Sequence, residues 1–304
     1  MNELLKTLCS IHAPSGDEVS MTEYLLNYIQ STKKSWKSSP EIFHGPDFQH
    51  CIVLVFGEPR TAVFTHIDNI GFTVRYGKQL VKIGGPHVET GYVLTGVDSI
   101  GSIECVLNVD DEEHLTYDFH REIDRGTTLS FKSLYQEDET AVQSCYLDNR
   151  LGVYVSLKLC ETLEHGIIIF SCWEEHHGGS VPFLAKFIYD RYRIRQALIC
   201  DITWITEGVE HGKGVVVSMR DSGIPRQVFV RKIIQLLTQG NIPFQLEVEK
   251  SGGSDGSELQ RQPYPIDWVF IGAGEDFVHT PHERVFISDI DSMLKSYSWL
   301  MKKL

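Results

Sequence analysis

Residues 171–180 read SCWEEHHGGS, with Glu174 and Glu175 side by side after the apolar run at 167–170. Adjacent carboxylates repel, and the cost rises as water is excluded. Such a pair needs a cation nearby, or a separate task for each acid. Other stretches carry residues of matching chemistry: Thr65-His66-Ile67-Asp68, Tyr146-Leu147-Asp148-Asn149-Arg150, Asp201 and Phe277-Val278-His279-Thr280-Pro281. Imidazoles and carboxylates without thiolate suit Zn, Co or Mn. Two such ions about 3.5–4 Å apart can share one carboxylate and hold a bridging water. Asp148, Glu175, Asp201 and a bridging hydroxide would balance two divalent cations, so the set can be buried without a large Born penalty. One glutamate of the pair would then bind metal. The other would stay free to move a proton from the water to a leaving group.

These residues need a frame that gathers them. The chain predicts strands at 50–56, 61–65, 167–172, 197–202, 214–219, 244–248 and 268–271. It predicts helices at 151–163, 181–192 and 227–237, and a last helix starting at Ser288. Ser15-Gly16-Asp17-Glu18 reads as a capping box before a helix carrying Tyr24, Leu25, Tyr28 and Ile29. Alternating strands and helices predict an α/β fold, a mixed sheet with helices on both faces. Each candidate residue falls at or near a strand end, where open α/β sheets bind ligands. Residues 69–141 differ: short alternating segments such as FTVRYG, YVLTGVD and SIECVLNVD show no helical period. They read as an inserted, barrel-like β domain. The division is therefore a catalytic domain, 1–68 plus 142–304, interrupted by a β domain at 69–141.

Composition narrows the partners. The 304 residues carry a net charge of −13, which disfavours nucleic acid and anionic membrane surfaces. No apolar run approaches the roughly 20 residues that span a bilayer. The N-terminal stretch lacks the basic and apolar segments of a leader. Seven scattered cysteines without a Cys-x-x-Cys pair suggest a reduced, cytoplasmic protein, with Cys51 and Cys200 filling core strands.

From CSIHAPSGDE through HIDNIGF, LDNRLG, EEHHGG, CDIT, SGGSDGSEL and HTPHE, the chain resembles the TET-type (glutamyl) metallo-aminopeptidases over nearly its whole length. The resemblance implies two divalent metal ions per subunit, Zn or else Co or Mn. His66 and Asp201 would hold one, Glu175 and His279 the other, and Asp148 would bridge them. Glu174 matches the general base, and Asp68 matches the acid that orients His66 from behind. The peptide bond after the bridging aspartate, Asp148–Asn149 here, is often cis in the family. The implied reaction removes the N-terminal residue from peptides with a free N-terminus, with the metal-bridging hydroxide as nucleophile. A homo-oligomer, dimer or larger cage, is implied as well. The alternatives are a related di-metal amidohydrolase (deacylase or carboxypeptidase) and a peptide-binding homologue without turnover. The chain departs from the family at Asn69, at His176-His177-Gly178-Gly179 and at Ser254. His176 and His177 are expected to line a pocket rather than to bind metal.

Overall fold

The computed structural model describes residues 3–304; Met1 and Asn2, the first two of the stretch searched for a leader, lie outside the described residues. Four parallel strands form the centre of an 11-stranded sheet: Gly166–Ser171, Ala62–His66, Gln196–Trp204 and Asp267–Asp276, in that spatial order. Gln49–Phe56 runs antiparallel beside Gly166–Ser171, so the sheet is mixed. Gly166–Ser171 is buried at every position, which requires cover on both faces. Among the covering helices are Glu3–Ser10, Leu147–Cys160, Gln227–Gln239 and Ile287–Lys303, which pack against one another, and Val181–Tyr192 with Asp255–Gln260. This is the α/β fold expected from the alternation.

A second, six-stranded sheet runs from Gly71–Val74 to Thr128–Phe131. A backbone pairing of Gln79 with Thr116 links its two edges, so the sheet is nearly closed into a barrel. It has its own core, in which Phe72 packs edge-on against Phe131. The seven cysteines are all unpaired thiols and all buried. No helix among the described residues is long and apolar enough to cross a membrane.

Three local expectations are corrected. Ser15 is not a helix cap: its Oγ donates to Asp68 Oδ2 at 2.6 Å, and Glu18 Oε1 accepts from Gly16 N at 2.7 Å. The helix Val19–Thr32 starts with no side-chain cap. Asp201 does not end its strand, which continues to Trp204 because it stays paired with Asp267–Asp276 through Glu275. Pairing with Ala62–His66 stops at Ile199, so Asp201 sits where one side of the strand is already open. The helix predicted at 151–163 begins earlier, at Leu147, with non-helical backbone at Asp148 and Asn149 and a cis peptide bond between them. Gly152 in this helix packs against strand Gln196–Trp204: a Cβ there would lie 2.3 Å from Cys200 O.

Candidate active site and metal centre

His66 is the last residue of strand Ala62–His66, and Glu174 and Glu175 follow strand Gly166–Ser171 in a turn. Asp148 lies at the distorted start of helix Leu147–Cys160, and His279 lies between strands Asp267–Asp276 and Glu283–Phe286. The fold brings all of them together. His66 Nε2 lies 3.2 Å from Asp148 Oδ1 and 3.5 Å from Asp201 Oδ1. His279 Nε2 lies 3.3 Å from Asp148 Oδ2 and 3.1 Å from Glu175 Oε2. Two groups with metal-ligand spacing result, His66–Asp148–Asp201 and Asp148–Glu175–His279, and Asp148 belongs to both. Glu174 belongs to neither; its Oε2 stands 3.9 Å from His66 Nε2.

A polar layer fixes these groups from behind. Asp68 Oδ1 lies 3.5 Å from His66 Nδ1. The same carboxylate accepts from Glu174 N at 3.2 Å and Glu175 N at 3.1 Å, so it also holds the glutamate turn. His279 Nδ1 faces Gly85 O at 3.1 Å, which aims Nε2 at Asp148 and Glu175. Glu283, buried, accepts from Asp148 N at 3.2 Å and from His279 N at 3.1 Å. Sequence reasoning assigned Glu283 no role, although it lies only four residues beyond His279. His176 Nδ1 accepts from Gly84 N at 3.1 Å, and His177 lines the cavity. The departures are absorbed locally. Asn69 Oδ1 accepts from Arg150 Nη2 at 2.6 Å, and Ser254 caps the helix Asp255–Gln260 through Gly256 N at 3.2 Å.

Arg150 is the largest fully buried side chain of this layer. Its guanidinium donates to Ile67 O, between the two members of His-x-Asp, and to Ile11 O at 3.3 Å. Replacing Arg150 with Met removes these donors and leaves buried acceptors unpaired. The expected loss of stability is about 3–5 kcal/mol, read from the urea midpoint of the purified variant.

The electrostatics carry a surplus of negative charge. Burial alone would lower the His66 pKa, but Asp201, Asp148 and Asp68 outweigh it and hold the imidazole well above its ordinary value. His279 is raised in the same way by Glu175 and Asp148. Burial raises Glu174, Glu175 and Asp201. Asp148 and Asp68 are lowered instead: imidazoles outweigh the burial of each, His279 and His66 at Asp148 and His66 at Asp68. Glu175 Oε1 is buried with no hydrogen-bond partner. Two imidazoles and three carboxylates, one with an oxygen left over, are a donor set that fits divalent cations.

Histidines and carboxylates thus converge on the strand ends of a mixed α/β sheet, with a small β barrel alongside, and form a candidate metal centre. The family model for M42 glutamyl aminopeptidases matches residues 108–295, and the chain belongs to that family. A curated protein of Acetivibrio thermocellus, "Putative aminopeptidase", is 31% identical over 88 residues, which is 29% of this chain and only 27% of that protein's length. The TET aminopeptidase of a marine sediment thaumarchaeote superposes with a TM-score of 0.86 at 17% identity, covering 99% of this chain and 96% of its own. An aminopeptidase of Desulfurococcus kamchatkensis gives 0.86 at 20% identity, covering 99% and 94%. The TET1 peptidase of Pyrococcus horikoshii, which can assemble into a tetrahedron or a large octahedral shell, gives 0.84 at 21% identity, covering 99% of both chains. At these identities the likeness to solved structures is one of fold.

Proposed function

We propose that this chain is a di-metal aminopeptidase that removes the N-terminal residue from peptides. The observation that carries the reading is the pair of ligand groups meeting at Asp148, with Glu174 outside both. His66, Asp201 and Asp148 would hold one cation, and Glu175, His279 and Asp148 the other. When bound, such cations polarise the scissile carbonyl and make water acidic enough to attack at neutral pH.

The protein's own part is positioning and proton transfer. Glu174 lines the cavity beside His66 and is free of the ligand groups. It would accept the proton of the attacking water and deliver it to the departing amine nitrogen. Asp68 holds the backbone of both glutamates, so base and ligand keep a fixed relation.

Dialysis against a chelator is expected to abolish hydrolysis of aminoacyl amides, and added Zn, Co or Mn to restore it. An N-acetylated amide should be cleaved on the order of 10²-fold more slowly or worse. Chelator-resistant turnover would end the metal reading, and equal cleavage of the acetylated amide would favour a deacylase.

The reading extends to cell biology and assembly. The 69–141 segment would be an inserted unit, supported by its separate sheet and core. A homo-oligomer is supported by the assemblies named for two fold neighbours, a dodecamer and a tetrahedron or octahedral shell, and the mass in solution tests it. Seven free, buried thiols support a reducing cytoplasm.

A further inference from the structure

A cavity of about 330 Å³ begins at the ligand groups and runs past Ile202 and Phe270 to a second set of acids, Asp221, Glu247 and Glu249. Asp221 and Glu247 are buried, at 7% and 4% exposure. None of the three forms an ion pair among the described residues. Glu247 Oε1 accepts from Thr203 Oγ1 at 2.5 Å, and Asp221 Oδ1 accepts from Gly223 N at 2.5 Å. Arg220 directs its guanidinium to the backbone carbonyl of Asp221, at 3.3 Å, not to the carboxylate. Arg261 supplies the cavity's one guanidinium and is tied to Glu258. Ser257 also lines the cavity; it is 7% exposed and its Oγ has no partner.

Like charges gathered away from water raise one another's energy, and a cation relieves it. Burial shifts Glu247 and Asp221 upward, and Glu249 and Asp221 add to the shift at Glu247. The approach wall is apolar, from Ile202, Trp204 and Phe270. An apolar collar leading to unpaired acids matches a long alkyl stem tipped by a cation. The net charge of −13 steers cationic ligands inward.

We infer that this cavity receives the side chain of the residue being removed and selects lysine or arginine. The inference rests on the aminopeptidase reading for its biological meaning, but the recognition itself can be measured without turnover. L-lysinamide and L-norleucinamide share an alkyl stem and an α-amine and differ in the terminal ammonium. Calorimetry on the metal-loaded protein is expected to give lysinamide about 10-fold tighter binding or better. In parallel, kcat/KM for lysyl and arginyl amides should exceed that for glutamyl amide by about 10²-fold. The Lys-to-Leu ratio of kcat/KM should fall about 10-fold in Glu247→Gln and in Asp221→Asn. Equal binding of the two amides, or preference for the glutamyl substrate, would overturn the inference. Selective lysinamide binding without hydrolysis of any amide would leave the pocket assignment standing and remove the aminopeptidase reading.

Discussion

Glu174→Gln is expected to keep the fold and its bound metal and to lose turnover by about 10²–10⁴-fold, the scale of a general acid/base. The substitution preserves volume and removes the charge and with it the ability to take a proton. The backbone nitrogen of residue 174 keeps its hydrogen bond to Asp68, so the turn that carries Glu175 is undisturbed. Glu174 is in neither ligand group, so metal content should match the parent protein by elemental analysis. Glu175→Gln makes the contrast. It replaces a carboxylate 3.1 Å from His279 Nε2, and metal should be lost along with activity. Unchanged turnover in Glu174→Gln would place the base elsewhere. Metal loss in that variant would make Glu174 a ligand.

The same contrast shows what was readable in the sequence. His66, Asp148, Glu175, Asp201 and His279 stand at or near predicted strand and helix ends. Each alone is a weak signal, and their assignment to one ligand set is what the family resemblance implies. Helix Val181–Tyr192 and strand Phe244–Val248 match their predicted bounds, since Pro182 starts the helix and turn residues close the strand. The capping box failed because Ser15 has a better acceptor, Asp68, 53 residues away, and no local pattern reports that competition. The end of the Asp201 strand was misplaced because it depends on which neighbour continues to pair. Helix Asp255–Gln260, at six residues, is too short to show a period. Asp221, Glu247 and Ser257 come from separate segments, and only tertiary folding gives them a common cavity. Glu283 and Arg150 act through backbone groups of the site residues, a role that leaves no mark on residue spacing.

Asp148→Asn should have the second large effect, and for a different reason. Asp148 is the member shared by both ligand groups, with Oδ1 toward His66 and Oδ2 toward His279. Asn preserves the shape but has one acceptor oxygen and no charge, so it cannot serve both groups. Both metal equivalents are expected to weaken together, with kcat/KM down on the order of 10³-fold or more, as loss of several kcal/mol of charge stabilisation implies. His66→Ala and His279→Ala each touch one group and should each spare the other. Metal titrations of the three variants therefore separate a shared carboxylate from two independent sites. If Asp148→Asn weakens one equivalent and leaves the second at parental affinity, Asp148 does not bridge. The residue then belongs to the group whose metal was lost, and the remaining acid must be sought in the buried layer, where Glu283 lies against the backbone of both Asp148 and His279.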